Sequence, residues 1–322
     1  VITPGLYRRC LRRGLRWRVL TLWWAALVVP GAIAAAPAFA FLSGHLDHSP
    51  RAPQNVAWMD GATLIELIRQ LDQDGASRAL LAGLGAAALA LLAASPFVAG
   101  AMVASARADE ALPFRPLLAG AGELYGSMLR LALAGLIPLA AGGGLTAGIV
   151  KLALDADARA LTETAAGRIR LVAAAGTALA LFIAHLAVDA GRAQFAAEPG
   201  RRSALGALWS GVRVLVRRPV RSLAVAVLGA ASGFLVAAAL MATRLQIAQG
   251  GAAEMALAWL LAQGAQLAIG WGRAARIEGL AELSRADAGD RARPAADAPG
   301  RVQVVRSATL AALDPPTSGA PR

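Results

Sequence analysis

Two groups of ionisable side chains in this sequence have the types and spacing for chemistry. The segment "SGHLDHSP" brings His45, Asp47 and His48 together, imidazole and carboxylate donors of the kind that hold zinc. A metal site needs three or four ligands held rigidly, and these stand in a proline-flanked loop, so a solvated loop is expected and no metal. His185 and Asp189, four residues apart near the end of an apolar run, could hydrogen-bond along one helix face. An ionisable residue inside a membrane span is a functional candidate by default. Close to the headgroups, however, this pair reads as an interhelical or interfacial bond. Cys10 is the one cysteine, which excludes an intrachain disulfide and makes it an unpaired surface thiol. No Walker lysine motif, G-x-S-x-G elbow or H-E-x-x-H is present, so the sequence offers no catalytic machinery, and neither an enzyme nor a cofactor is expected.

The densest charge lies in "GRRSALGALWSGVRVLVRRPVRSL", residues 200–223, which holds Arg201, Arg202, Arg213, Arg217, Arg218 and Arg221. On a helical wheel Leu205, Leu208, Val212, Leu215 and Val216 share an apolar arc of about 100°, with Trp209 at its edge. Arg202, Gly206, Ser210, Arg213 and Arg217 lie opposite. Ser203 suits an N-cap, and Pro219 ends the helix by disfavouring helical geometry at Arg218. An amphipathic helix with arginines on one face and an indole at the boundary belongs at a membrane interface. Each basic residue near an anionic leaflet contributes on the order of 1 kcal/mol. Arg201, Arg202, Arg213, Arg217, Arg218, Arg221 and Trp209 are therefore the expected contacts to anionic lipid headgroups, and the arginines also set topology.

The elements that must position these residues follow from composition. The chain has 322 residues, 57% of them apolar, 16% charged, and a mean hydropathy of +0.55. A soluble domain of this length would be more polar, because its surface must be solvated. The net charge of +12 and pI of about 11.5 alone would suit nucleic acid. With 5% aromatic residues and no zinc-finger, RRM or OB-like signature, nucleic acid is not an expected partner. Membrane lipids are, and a homo-oligomer or a membrane-protein partner stays open. Lys151 is the one lysine, an arginine bias that suggests a GC-rich bacterial genome.

Six runs approach or exceed the ~20 apolar residues that cross about 30 Å of hydrocarbon: approximately 19–42, 79–106, 131–150, 171–188, 222–243 and 255–272. Backbone polar groups cannot stay unpaired in lipid, so an all-α polytopic bundle is expected, with a domain over 1–284. With the N-terminus inside, about eighteen Arg and Lys fall on the inner side and about eight outside, which makes both termini cytoplasmic. The start, "YRRCLRRGLRWR" followed by an apolar run and "AFA" at 38–40, resembles a signal peptide. Its apolar stretch exceeds the 7–15 residues usual for one, and an uncleaved anchor is expected. Gln263 and Gln266 read as packing contacts. Pro30, Pro37, Pro96, Pro138 and "AGGG" at 141–144 could break helices and expose carbonyls, or simply allow close packing. No Asp, Glu, Lys or Arg lies centrally in a span, where ion-coupled carriers usually need one.

A second amphipathic elbow is expected at "FRPLLAGAGELYGSMLR", 114–130, between spans two and three. Shifted by 87 positions, its Leu118, Tyr125, Met128 and Leu129 fall on Leu205, Val212, Leu215 and Val216. Two units of span, elbow and span would form a parallel repeat. In "TLIELIRQLDQDG", Thr63 and Glu66 have the spacing of a capping box at the head of a short surface helix. Residues 285–322, rich in Ala, Asp, Pro and Arg, read as a disordered cytoplasmic tail.

The layout "HLAVDAGRAQFAAE" followed by "RRSALGALWSGVRVLVRRP", with a weaker stretch "DHSPRAPQ…MDGATLIEL", resembles an uncharacterised group of bacterial six-span membrane proteins. More distantly it is similar to the membrane domain attached to some glycerophosphodiester phosphodiesterases. The catalytic domain of those enzymes, with its acidic and histidine residues, is absent here, so the resemblance implies a membrane bundle and carries no activity over. The expectation is a non-enzymatic, multi-pass protein of the bacterial inner membrane, a scaffold or a lipid- or envelope-handling factor. The alternative is a small-solute permease, and a membrane enzyme built on His45, Asp47 and His48 or on His185 and Asp189 ranks third.

Overall fold

The computed structural model describes residues 4–46, 61–73, 75–247 and 251–296, and every regular element in them is helical. In chain order these are α1 (Pro4–Gly14), α2 (Trp17–Leu46), α3 (Gly61–Gln73), α4 (Ala76–Arg107), α5 (Phe114–Asp157), α6 (Glu163–Ala197), α7 (Ala204–Arg217), α8 (Pro219–Leu245) and α9 (Ala252–Ala296). Helices α2, α4, α5, α6, α8 and α9 are long and apolar enough to cross a membrane, and each contains one of the six expected runs. The protein is an all-α multi-pass membrane bundle. Its most extensive pairing is α8 with α9, followed by α5 with α6 and α2 with α4.

One end of the bundle collects most of the charge. There the 108–113 connection, α1, α7, the C-terminal ends of α4 and α6 and the second half of α9 meet. Arginines cap the helix ends: Arg107 donates through Nε and Nη2 to the Phe195 carbonyl at 3.0 and 2.8 Å. Arg285 reaches the Ala106 carbonyl at 2.8 Å, and Arg16 bonds the carbonyls of Ser105 and Ala108. The last carbonyls of a helix have no partner inside it and carry partial negative charge, so a guanidinium offsets both deficits. Arg16, Arg107 and Arg285 thus hold helix ends together as well as adding to the charge on this side.

Three expectations about elements need correction. The elbow at 114–130 and the span after it form one continuous helix, α5, whose 44 residues make about 66 Å. Its inner face is Leu117, Ala121, Leu124, Met128 and Leu131, while Leu118 and Leu129 face outward. Its proline at 116 stands in the first turn and the helix continues unbroken beyond it, whereas Pro219 separates α7 from α8. Of the two readings open for Pro30, Pro37, Pro96, Pro138 and the 141–144 glycines, breakage does not occur: all lie inside unbroken helices, and Gly142 packs closely on Ala184. The tail expected from 285 does not start there, because α9 runs on to Ala296 and buries Asp287. Finally, α3 begins at Gly61, ahead of Thr63, and the Glu66 carboxylate accepts from Arg69 at 2.8 Å and Gln70 at 2.8 Å. Residues 297–322, and Asp47 and His48 of the histidine cluster, lie outside the described residues.

Cys10 is also not the surface thiol expected from its basic neighbours. It sits in the α1–α9 contact, 6% exposed. Burial pushes its pKa up to about 11, helped by the nearby Glu278 and Glu282 carboxylates. Thiolate is the reacting form, so alkylation of the folded protein at pH 8 is expected to be at least tenfold slower than after denaturation. The rate should climb as pH rises toward 11. Equal rates in the folded and denatured protein would place α1 off α9.

Candidate functional site

The elbow folds as its sequence dictates. Ser203 Oγ accepts from the Gly206 N–H at 3.1 Å and caps α7, and Arg218 leaves helical geometry ahead of Pro219. What the wheel does not reveal is that α7 has three faces. Ala204, Ala207, Leu208, Gly211 and Val214 are buried against the bundle. The contact with α6 is so close that a Cβ on Gly211 would lie 2.6 Å from the Ala190 carbonyl carbon. Leu208 therefore turns inward, apart from Leu205 and Val216, which stand exposed. Leu205, Trp209 and Val216 form the outward apolar arc, with Trp209 65% exposed. On the helical wheel Arg202, Arg213 and Arg217 form the next arc round, on the far side of Trp209 from Leu205 and Val216.

Of the seven expected headgroup contacts, two are engaged inside the protein. Arg201 is held by Glu198 at 2.6 Å and by Ser210 Oγ at 3.1 Å. Arg218 pairs with Asp290 at 2.5 Å and Asp287 at 3.4 Å, pinning α9 beneath the elbow. Arg202, Arg213, Arg217 and Arg221 remain exposed along with Trp209.

In the second candidate, the bond between His185 and Asp189 along one helix face does not form, while Asp189 makes the expected interhelical bond. His185 faces outward and its Nδ1–H donates to the Leu181 carbonyl of its own helix at 2.9 Å. Asp189 turns inward and is 1% exposed. Its carboxylate takes Arg192 at 2.5 Å, Arg273 at 3.6 Å, and Arg276 through Oδ2. Three guanidiniums surround one carboxylate, leaving a net charge of +2 in the bundle. The Nε groups of Arg273 and Arg276 are buried without a hydrogen-bond partner. Arg273 also stacks 5.4 Å above the Trp23 ring, a cation–π contact that partly replaces lost hydration.

Arg192 and Arg273 border a cavity of about 250 Å³ between α2, α4, α6 and α9. Its α4 wall is Leu91, Ser95, Val98, Ala99 and Met102, and α2 contributes Trp23, Ala26 and Leu27. Trp23 is fixed by a bond from its Nε1 to the Gln266 carbonyl at 3.1 Å, and Trp24 donates to Gln263 Oε1 at 2.9 Å. The two glutamines thus sit at packing contacts as expected, though Gln266 contributes its backbone. Among the described residues no group of three or more His, Cys, Asp and Glu could hold a metal. His45 bonds the Phe41 carbonyl at 2.8 Å.

The sequence carries a signal for this cluster. "LAVDAGRA" at 186–193 and "LAIGWGRA" at 267–274 match at Leu186 and Leu267, Ala187 and Ala268, and the Gly-Arg-Ala triplets from Gly191 and Gly272. Each glycine lets its helix approach a neighbour, and the arginine after it reaches the shared cavity. Searches of known families, curated proteins and solved structures find no match to this chain.

Proposed function

We propose that this is a non-enzymatic protein of the bacterial inner membrane that acts in lipid or envelope handling, its arginine-rich end set in the cytoplasmic leaflet. The observation that carries the reading is the surface of α7. An exposed apolar arc beside an arginine arc, with an indole at the seam, matches a helix lying at the level of the headgroups. Gly211 fixes that helix against α6, so the surface is a rigid part of the bundle. The count of basic residues supports a cytoplasmic location for this end. The apolar walls of the cavity favour lipid handling over a permease for polar solutes.

Nanodiscs made from mixed phosphatidylcholine and phosphatidylglycerol test the reading with the full chain. Phosphatidylglycerol is expected to be enriched around the wild-type protein. The R202Q/R213Q/R217Q/R221Q variant should lose most of that enrichment, and raised salt should weaken it, since exposed charges are screened. Reporter fusions at residue 210 should place it in the cytoplasm. Absence of enrichment around the wild-type protein would end the proposal.

A further inference from the structure

We propose that the cavity between α2, α4, α6 and α9 is a binding slot for one anionic amphiphile, with a phosphate-bearing headgroup on Arg192 and Arg273 and an acyl chain along α4. Nothing in the interfacial role of α7 requires such a site.

Three observations converge on it. The first is unspent donor capacity. Asp189 neutralises one of three guanidiniums, and Arg273 Nε is a buried donor with no acceptor. Two planar donor groups at the closed end of a partly dry site suit a phosphate, which guanidinium recognises through paired hydrogen bonds. The second is the shape of the apolar part. Leu91, Ser95, Val98, Ala99 and Met102 lie on one face of α4, and the helix rises about 16 Å from Leu91 to Met102. That equals roughly half of the ~30 Å hydrocarbon core, the depth of one leaflet.

The third is the way in. Leu91, at the deep end, is 41% exposed, and Ser95 is exposed too, while Val98, Ala99 and Met102 nearer the arginines are buried. The slot is open sideways, where lipid chains would surround it, and closed near its charged end. A chain could therefore pass in from the bilayer without crossing water. A free inorganic anion would use the arginines and leave the apolar length empty. A neutral chain would leave the guanidiniums unmatched.

Native mass spectrometry of the full-length protein in a neutral detergent decides between these occupants. The titrants are oleoyl lysophosphatidate, oleoyl lysophosphatidylcholine and inorganic phosphate. One lysophosphatidate per chain is expected to bind at least tenfold more tightly than either of the others. R192Q/R273Q should weaken lysophosphatidate at least tenfold. Ala26→Phe, which fills the apolar wall and leaves every charge in place, should weaken it by a similar factor and keeps the test open should the arginine variant misfold. Equal affinity for inorganic phosphate would reduce the site to an anion seat, and equal affinity for lysophosphatidylcholine would remove the role of the arginines. Either overturns the proposal, as does undiminished binding in Ala26→Phe. The nanodisc enrichment around α7 is read separately, so each proposal can fail alone.

Discussion

Asp189→Ala is expected to cost about 3–5 kcal/mol of folding free energy, the range found when one partner of a buried ion pair is removed. The size reflects the charges left behind. Asp189 is almost fully enclosed, and its carboxylate serves Arg192 from its own helix and Arg273 and Arg276 from α9. Without it three guanidiniums face one another with no counter-charge. Arg192 and Arg276 are each only 13% exposed and cannot swing freely into water. Asp189→Asn keeps the shape and one acceptor but loses the charge, and should fall between wild type and alanine. Thermal denaturation in mild detergent should show the alanine variant melting on the order of 10 °C lower. A second substitution, Arg276→Gln, should recover part of the loss, because it removes one of the stranded cations and Arg276 does not border the cavity. A loss below about 1 kcal/mol for Asp189→Ala, or no recovery in the double variant, would mean the cluster is hydrated and does not bind α6 to α9.

The fold and the charged cluster differed in how far the sequence disclosed them, and the reason is physical. A span has to be long and apolar whatever it touches, so six runs reveal six helices on their own. The destination of a charge depends on a partner chosen in three dimensions. His185 lies at i−4 from Asp189 and Arg192 at i+3, and helical spacing permits either; the structure takes Arg192 and adds Arg276 from 87 positions away. The wheel of 203–218 located the amphipathic helix and its ends. It could not distinguish an apolar side chain facing lipid, such as Leu205, from one facing protein, such as Leu208. The length of α9 was concealed by its charge. Beyond Ser284 its arginines, aspartates and alanines resemble a solvated tail, yet Leu280, Ser284 and Asp287 recur at helical spacing and are buried. Alanine, frequent there, is also the strongest helix former. Read for periodicity instead of composition, that stretch would have extended the bundle.

The α8–α9 contact yields the other large expected effect. Gly229 and Gly233 are four apart on α8, and Ala268 and Gly272 four apart on α9, a pairing of small residues that lets two membrane helices touch backbone to backbone. A Cβ on Gly272 would lie 2.6 Å from the Gly229 carbonyl oxygen, and one on Gly233 2.6 Å from the Ala268 carbonyl oxygen. Both obstacles are main chain, so no side-chain rotation relieves them. Gly272→Val must push the helices apart over the most extensive contact in the bundle. Overpacking typically costs about 1–3 kcal/mol and occasionally more, and Gly272→Val is placed at the upper end because two backbones have to part. The shift would also reach the cavity, since Arg273 is the next residue on α9 and its ion pair with Asp189 joins α9 to α6. Gly148→Val is the control, as a Cβ there meets nothing within 4 Å. Melting temperature and monodispersity in detergent should fall for Gly272→Val and hold for Gly148→Val. Should Gly272→Val melt like wild type, α8 and α9 would have to cross further apart than backbone contact, and the position of Arg273 beside Asp189 would have to change with them.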